Sequence, residues 1–124
     1  MATPKTLLIV DDDPSSRYLL QSVLAKTGCT IVAAADGTQA VAVASSQAIH
    51  LLVTDVIMKG MDGFELARTL RAMPAYSELP VIMLSARSQV QYRGETRPGD
   101  DAILMTKPFS PIELRAQVKL LLKL

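Results

Sequence analysis

Charged and hydroxyl side chains follow four short apolar stretches of this 124-residue sequence. Three aspartates come directly after the first stretch, and an aspartate, a serine and a lysine follow three later ones: Asp11, Asp12, Asp13, Asp55, Ser85 and Lys107. If these stretches are neighbouring parallel strands, their carboxyl ends meet at one edge of a sheet, where such open sheets bind ligands. The pattern therefore predicts a site at which carboxylates, a hydroxyl and an ammonium group converge.

An acidic cluster of this kind favours a bound cation. Two carboxylates about 5 Å apart repel each other by roughly 3 kcal/mol at an effective dielectric constant of about 20. Oxygen ligands favour hard ions, and Mg²⁺ commonly takes one or two carboxylates together with water and phosphate oxygens. With the cation present a phosphoryl group can lie beside the acids, where Lys107 supplies a positive charge and Ser85 a neutral donor. An aspartate in these surroundings can act as a phosphoryl-accepting nucleophile.

The elements that must position these residues follow from the apolar pattern. Continuous apolar runs are typical of strands that are covered on both faces, and five occur, at 7–10, 30–33, 51–54, 81–84 and 102–105. Helical patterns lie between them, so the sequence predicts an α/β fold of the (βα)₅ type. Right-handed crossovers then place helices on both faces of a five-stranded parallel sheet.

Capping signals mark the helices. Asp13-Pro14 predicts a helix over about 14–27 that Gly28 stops, and Asp36-Gly37 opens a helix that reaches about residue 46. Further start signals, at 62–65 and 110–113, predict a helix to about residue 72 and a last helix. The segment 88–99 contains two glycines and a proline and predicts an atypical, weak helix or a loop.

Composition limits the class of protein. The length fits one domain, 1–124, with 49% apolar and 20% charged residues. The net charge of +1 offers no basic surface for direct nucleic-acid binding. Cys29 is the only cysteine, which excludes an internal disulfide. Because the sequence contains no run of about 18 apolar residues and no secretory signal, we expect no membrane contact and a cytoplasmic location.

Four motifs in this order resemble the response-regulator receiver family, also called CheY-like, over essentially the whole chain. They are LIVDDD at 8–13, TDVIMKGMDG at 54–63, MLSA at 83–86 and TKPF at 106–109. The resemblance implies a doubly wound, flavodoxin-like sheet of strand order 2-1-3-4-5. It also implies that Asp55 is the phosphoacceptor and that Mg²⁺ is bound by Asp11, Asp12, Asp55 and the backbone carbonyl of Ile57.

Further roles follow from the same resemblance. Ser85 would be the hydroxyl that moves to bond the phosphoryl group, Lys107 the lysine that pairs with its oxygens, and Ala86 a small residue that keeps the approach open. The phosphoryl donor would be a histidine kinase or histidine phosphotransfer protein, and the output a downstream protein partner or fused effector. The chain would therefore assist its own phosphorylation without being an enzyme. Because Ile57 cannot orient a water molecule, we expect slow self-dephosphorylation.

Three positions depart from the family pattern. Leu104 stands where many receivers have an aromatic residue, Lys59-Gly60 replaces the usual proline after the phosphoacceptor, and 88–99 lacks a firm helix. These changes leave open how the signal reaches a partner.

The last helix has two apolar stripes. One is expected to face the sheet, and the second is formed by Ile112, Ala116, Leu120 and Leu124. This excess predicts a partner contact, such as a homodimer through the last helix.

Two other functions remain open from the sequence. A Mg²⁺-dependent phosphohydrolase of the haloacid-dehalogenase type also uses an aspartate, a serine or threonine and a lysine, and Asp11-Asp12-Asp13 contains its Asp-x-Asp spacing. Against it, the chain is short and Asp55 would have no central role. A pseudo-receiver that binds partners without phosphorylation is the second alternative. Asp13 is interpreted as a helix cap, and His50 is given no chemical role.

Overall fold

Each apolar stretch of the sequence forms a strand in the computed structural model, which describes residues 4–86 and 101–124. The strands are β1 (Thr6–Val10), β2 (Thr30–Ala34), β3 (Leu51–Asp55), β4 (Val81–Ala86) and β5 (Ile103–Lys107). The α-helices of these residues are α1 (Pro14–Ala25), α2 (Gly37–Ser46), α3 (Gly63–Arg71) and α4 (Pro111–Leu122). A short 3₁₀ helix spans Pro74–Tyr76. The predicted weak helix over 88–99 lies outside the described residues.

The five strands form one parallel sheet in the order β2-β1-β3-β4-β5, which confirms the expected topology. The register places Val10 of β1 opposite Thr54 of β3, and Asp55 opposite Leu84 of β4. Ser85 lies opposite Thr106, and Ala86 lies opposite Lys107. The residues predicted to carry the chemistry therefore follow or end strands that terminate at the same edge of the sheet.

Helices cover both faces of this sheet, as the continuous apolar runs predict. On one face α2 and α3 pack against alternate strand residues, in a cluster that includes Leu8, Val10, Ala40, Leu66 and Leu70. On the other face α1 and α4 pack against Leu7, Ile9, Leu24, Leu114 and Val118. Burying a leucine or valine side chain of this kind contributes about 1.5–3 kcal/mol. Two apolar layers thus hold the strand ends in place.

All four predicted caps are present. Asp13, Asp36 and Asp62 each accept a hydrogen bond from the backbone amide three residues later, and Ser110 does the same with the amide of Glu113. Helix α1 ends at Ala25, two residues short of the prediction, and Gly28 follows with a φ of 82°. None of the helices in the described residues is long and apolar enough to cross a membrane.

The short 3₁₀ helix was not predicted. Its Tyr76 is buried, and the Tyr76 hydroxyl donates to the carbonyl of Ala44 at 2.8 Å. Because this bond joins residues 32 positions apart in the chain, hydrophobic periodicity does not indicate it.

Candidate functional site

The predicted acids converge at the carboxyl ends of β1 and β3. Asp11, Asp12 and Asp55 each offer a carboxylate oxygen, and these three oxygens all lie within 4.8 Å of one another. Asp11 is buried, Asp55 is half-buried and Asp12 is exposed, so the cluster opens to solvent on one side. Oxygen donors at this spacing fit a hard divalent cation such as Mg²⁺. Asp13 does not join the cluster through its side chain, which caps α1 as predicted.

Lys107 links two of these acids. Its Nζ lies 2.7 Å from Oδ1 of Asp55 and 3.0 Å from Oδ2 of Asp11. Burial lowers the pKa of Lys107, but the hydrogen bonds and negative charges of Asp55 and Asp11 outweigh it, so the pKa is raised overall. Lys107 therefore stays protonated and offsets part of the repulsion between the two carboxylates.

Burial dominates the titration of Asp55. Loss of solvent raises the pKa of Asp55 to about 6; the hydrogen bond from Lys107 opposes this rise, and the negative charge of Asp11 adds to it. A carboxyl group with this pKa is mainly ionised at pH 7. Asp55 thus combines partial burial with the negative charge that a nucleophile needs.

Backbone groups orient the other two acids. Oδ1 of Asp11 accepts the amide of Asp13 at 2.9 Å, so both oxygens of this buried carboxylate have partners. Oδ2 of Asp12 accepts the amide of Lys59 at 3.2 Å. The second bond joins the turn after β1 to the loop after β3 and brings the two acidic segments together.

Ser85 supplies a buried hydroxyl at the end of β4. Its side chain is fully buried, and Oγ has no hydrogen-bond partner among residues 4–86 and 101–124. An unsatisfied buried hydroxyl costs about 1–3 kcal/mol, so such groups are often partners for a ligand. Ala86 follows it, opposite Lys107 in the neighbouring strand, and its side chain adds no bulk beyond a methyl group.

The loop after β3 contains one exposed apolar residue. Ile57 is 50% exposed, whereas Val56 and Met58 on either side are buried. Met58 and Met83 belong to the core, and Leu104 packs against the same apolar cluster. His50 lies at the opposite end of β3, where its Nδ1 accepts the amide of Thr6 at 2.9 Å, a structural contact.

Gly63 is a residue of the site that the sequence analysis treated only as part of a helix start. Its amide donates to the carbonyl of Val56 at 2.7 Å. A β-carbon at this position would collide with the carbonyl oxygen of Asp55. Glycine at the first helical position after Asp62 was the available signal, since glycine permits close backbone approach.

A largely apolar cavity of about 410 Å³ adjoins the acidic cluster. Asp11 and Lys107 form part of its lining, and the remainder comes from α1 and the segment leading into α4: Ser16, Leu19, Leu20, Pro108, Phe109 and Pro111. Leu19 is 53% exposed. The Lys107–Pro108 peptide bond beside this cavity is cis.

Comparison with known proteins gives a consistent result. The family model described as response regulator receiver domain matches residues 7–119. The alkaline phosphatase synthesis transcriptional regulatory protein PhoP of Bacillus subtilis is 36% identical over 121 residues, which are 96% of this chain and 49% of PhoP. The chain spans about half the length of the curated relatives it matches first.

Solved structures agree with this result. The chemotaxis protein CheY4 of Vibrio cholerae superposes with a TM-score of 0.87 at 28% identity, covering 96% of this chain and 99% of CheY4. The receiver domain of the sensor histidine kinase PA1611 of Pseudomonas aeruginosa PAO1 gives a TM-score of 0.86 at 25% identity, covering 98% of this chain and all of that one. That structure has a magnesium ion coordinated in its active-site cleft. These matches do not favour the phosphohydrolase or the pseudo-receiver.

Proposed function

The chain belongs to the response regulator receiver domain family, and we propose that it accepts a phosphoryl group on Asp55 with the help of Mg²⁺. One observation carries the proposal: a single ammonium group, Nζ of Lys107, contacts the carboxylates of Asp55 and Asp11 at 2.7 and 3.0 Å. An acceptor carboxylate, a paired acid and a fixed cation are the groups that phosphoryl transfer to an aspartate requires.

The proposed step is an in-line displacement at phosphorus. An ionised oxygen of Asp55 attacks the phosphoryl group of a phosphohistidine on a partner protein. The new O–P bond forms as the P–N bond breaks, and the electron pair of that bond stays on the imidazole nitrogen of the donor. Asp55 needs no general base, because a carboxyl group with a pKa of about 6 is mainly ionised at pH 7.

The metal would be held by the three acids of the cluster. Asp11, Asp12 and Asp55 offer oxygens within 4.8 Å of one another, and the backbone carbonyl of Ile57 is proposed as a further ligand from the resemblance to the family. When bound, Mg²⁺ supplies positive charge that offsets the acids and the incoming phosphoryl oxygens. The Mg²⁺ ion in the cleft of the PA1611 receiver domain supports this assignment.

Lys107 and Ser85 would bind the product. After transfer, the ammonium group of Lys107 can pair with a phosphoryl oxygen, because it already lies against Asp55. The buried hydroxyl of Ser85, which lacks a partner in the described part of the chain, can donate to another. We propose that these two attractions move the ends of β4 and β5 and change the partner-binding surface nearby. Leu104 stands where many receivers have an aromatic residue, so the proposed change does not involve movement of an aromatic side chain at this position.

The donor would dock over the apolar cavity beside the acids. This cavity shares Asp11 and Lys107 with the phosphoacceptor site, so we propose that a protein presenting a phosphohistidine to Asp55 covers the opening of the cavity. Exposed Leu19 on α1 gives such a partner an apolar contact. A Leu19→Glu variant should lose phosphotransfer from a histidine phosphotransfer protein and keep phosphorylation by acetyl phosphate. Ala42→Glu, at an exposed position of α2 on the opposite face of the sheet, is the control.

The wider role follows from the relatives. PhoP is named a transcriptional regulatory protein and is about twice as long as this chain. We propose that residues 1–124 form one receiver domain, that a downstream partner or fused effector carries any nucleic-acid contact, and that the protein works in the cytoplasm. We further propose that the domain is no enzyme in the ordinary sense, since it modifies itself once for each donor molecule.

Helix α4 offers a second surface. Its outer stripe is exposed, with Ile112 at 74% and Leu120 at 72%, and Ala116 lies between them. Leu124, which the sequence also placed on this stripe, lies two residues past the end of the helix, because Lys123 adopts a left-handed conformation that ends it. Leu114 and Val118 face the core instead, so the two stripes predicted from the sequence lie on different sides of the helix. A homodimer through the outer stripe remains a prediction. Sedimentation of the wild type and of Leu120→Lys over a range of concentrations tests it.

Intact mass after incubation with acetyl phosphate and Mg²⁺ tests the central proposal. We expect one phosphoryl adduct in the wild type, none in Asp55→Asn and the wild-type amount in Asp36→Asn, which keeps its helix cap because asparagine also caps. An adduct that survives in Asp55→Asn and disappears in Asp11→Asn would indicate the phosphohydrolase chemistry. A wild type without any adduct would favour the pseudo-receiver.

A further inference from the structure

An arginine outside the acidic cluster contacts its backbone. Nη1 of Arg17, in the first turns of α1, donates to the carbonyl oxygen of Asp11 at 2.7 Å. Arg17 is half-buried, and its own amide donates to the carbonyl of Asp13 at 2.9 Å. The side chain of Arg17 therefore reaches back along the helix axis to the turn that contains all three consecutive acids.

The carbonyl that Arg17 holds belongs to the peptide unit between Asp11 and Asp12. A peptide unit is planar, so fixing its oxygen also fixes the direction of the Asp12 amide and limits where the Asp12 side chain can lie. Asp11 has other restraints, from Lys107 and from the amide of Asp13. Asp12 is exposed, and its carboxylate is tied by the amide of Lys59 at 3.2 Å. The position of the Asp12 carboxylate therefore depends more on the orientation of the Asp11–Asp12 peptide than the position of the Asp11 carboxylate does.

We propose that Arg17 is a positioning residue for the cation site: it holds the Asp11–Asp12 peptide so that both carboxylates face one ion. The inference rests on the proposed function for the identity of that ion, Mg²⁺. The donor set fits the ion, because three carboxylate oxygens lie within 4.8 Å of one another. Arg17 touches neither the ion nor the phosphoryl group in this role; it acts through the backbone of Asp11.

The positive charge of Arg17 and its contact with the Asp11 carbonyl predict opposite effects of removing Arg17 on Mg²⁺ affinity. The guanidinium group of Arg17 brings positive charge next to the acidic turn, with Nη1 at 2.7 Å from the carbonyl oxygen of Asp11. If Arg17 acted only through its charge, removing it would attract a cation and tighten Mg²⁺ binding. If Arg17 positions the acids, removing it weakens binding in spite of the lost repulsion. The sign of the change therefore separates the two roles.

The experiment compares Mg²⁺ binding by isothermal titration calorimetry in the wild type, Arg17→Met and Arg17→Lys. Loss of a group that orients metal ligands typically lowers metal affinity by about 10–100-fold, and we expect about tenfold weaker binding in Arg17→Met. Arg17→Lys retains the positive charge and one donor group on a shorter side chain. Its Mg²⁺ affinity should therefore lie between those of the wild type and Arg17→Met. Arg115→Met is the matched control, because Arg115 donates to the backbone carbonyl of Val23, away from the acids.

Each outcome decides the inference. Weaker binding in Arg17→Met with wild-type binding in Arg115→Met supports it, even if both variants lose thermal stability. Equal or tighter binding in Arg17→Met overturns it, as does a wild type that binds no Mg²⁺. If Arg17→Met does not fold, Arg17→Lys decides: weaker binding supports the inference and unchanged binding overturns it. A wild type that binds Mg²⁺ but gains no phosphoryl adduct rejects the proposed function alone.

Discussion

Gly63 approaches Asp55 so closely that a β-carbon on Gly63 would collide with the backbone carbonyl oxygen of Asp55. The amide of Gly63 also donates to the next carbonyl, that of Val56, at 2.7 Å. The start of α3 is thus packed directly against the end of β3. The position of the proposed phosphoacceptor therefore depends on a residue without a side chain.

Replacement of Gly63 by alanine should disturb this contact. Because the new methyl group meets backbone rather than a movable side chain, we expect a loss of about 1–3 kcal/mol in the free energy of unfolding. Slower phosphorylation by acetyl phosphate should accompany it, since Asp55 must shift. Chemical denaturation and intact-mass kinetics measure the two effects.

Gly37→Ala is the matched control for this change. Gly37 is also the first residue of its helix after a capping aspartate, but its added β-carbon would meet the side chain of Met61. Sδ and Cγ of Met61 can turn away, but Cβ of Met61, at 2.9 Å, must shift with its backbone. Because this overlap is smaller than the overlap of Gly63 with the Asp55 carbonyl oxygen, Gly37→Ala should cost less stability than Gly63→Ala and slow phosphorylation less. Equal losses in the two variants would contradict the proposed dependence of Asp55 on Gly63.

Asp55→Asn should stabilise the metal-free domain. Folding raises the pKa of Asp55 to about 6 through burial, with a further contribution from Asp11, so the fold disfavours the ionised carboxylate that is present at pH 7. A neutral side chain removes this cost, and we expect a gain of about 1–3 kcal/mol in EDTA. Urea denaturation measures it, and Asp36→Asn serves as the control. A loss of stability would show that the ion pair with Lys107 outweighs the effects of burial and of Asp11.

Asp13→Ala should lower stability without removing the cation site. The carboxylate of Asp13 accepts the amide of Ser16 at 2.9 Å, and loss of such a cap costs about 1 kcal/mol. Asp13→Ser should recover most of this loss, because serine also caps helices. Mg²⁺ affinity should fall far less in Asp13→Ala than in Asp12→Asn. A larger effect on Mg²⁺ binding from Asp13→Ala would make Asp13 a ligand and not a cap.

Ile57→Asn should shorten the lifetime of the phosphorylated state. Ile57, two residues after Asp55, is 50% exposed, and its side chain has no group that can orient a water molecule, whereas an amide can. The decay of the phosphoryl adduct, followed by intact mass after removal of acetyl phosphate, should be several-fold faster in the variant. Ile112→Asn, also an exposed isoleucine, should decay like the wild type. If the adduct decays at the wild-type rate in Ile57→Asn, Ile57 does not slow self-dephosphorylation.

Local signals in the sequence were sufficient for the five strands, for the four α-helices of the described residues and for where most of the site residues lie, but not for the 3₁₀ helix. The apolar runs that predicted strands depend on burial of consecutive residues, and caps such as Asp62 depend on an amide only three positions away. Acids and a lysine directly after strands were expected to meet, because parallel strands end at the same edge of a sheet. Asp11, Asp12, Asp55 and Lys107 do lie together there.

Only the tertiary structure decided the contacts that join distant parts of the chain. Nζ of Lys107 reaches a carboxylate 96 positions earlier, and the hydroxyl of Tyr76 reaches the carbonyl of Ala44. The approach of Gly63 to Asp55 and the bond from Arg17 to the Asp11 carbonyl depend on how a helix packs against a strand end. Residue type and spacing indicate which groups can meet. The packing of the two apolar layers decides whether those groups come within hydrogen-bonding distance of one another.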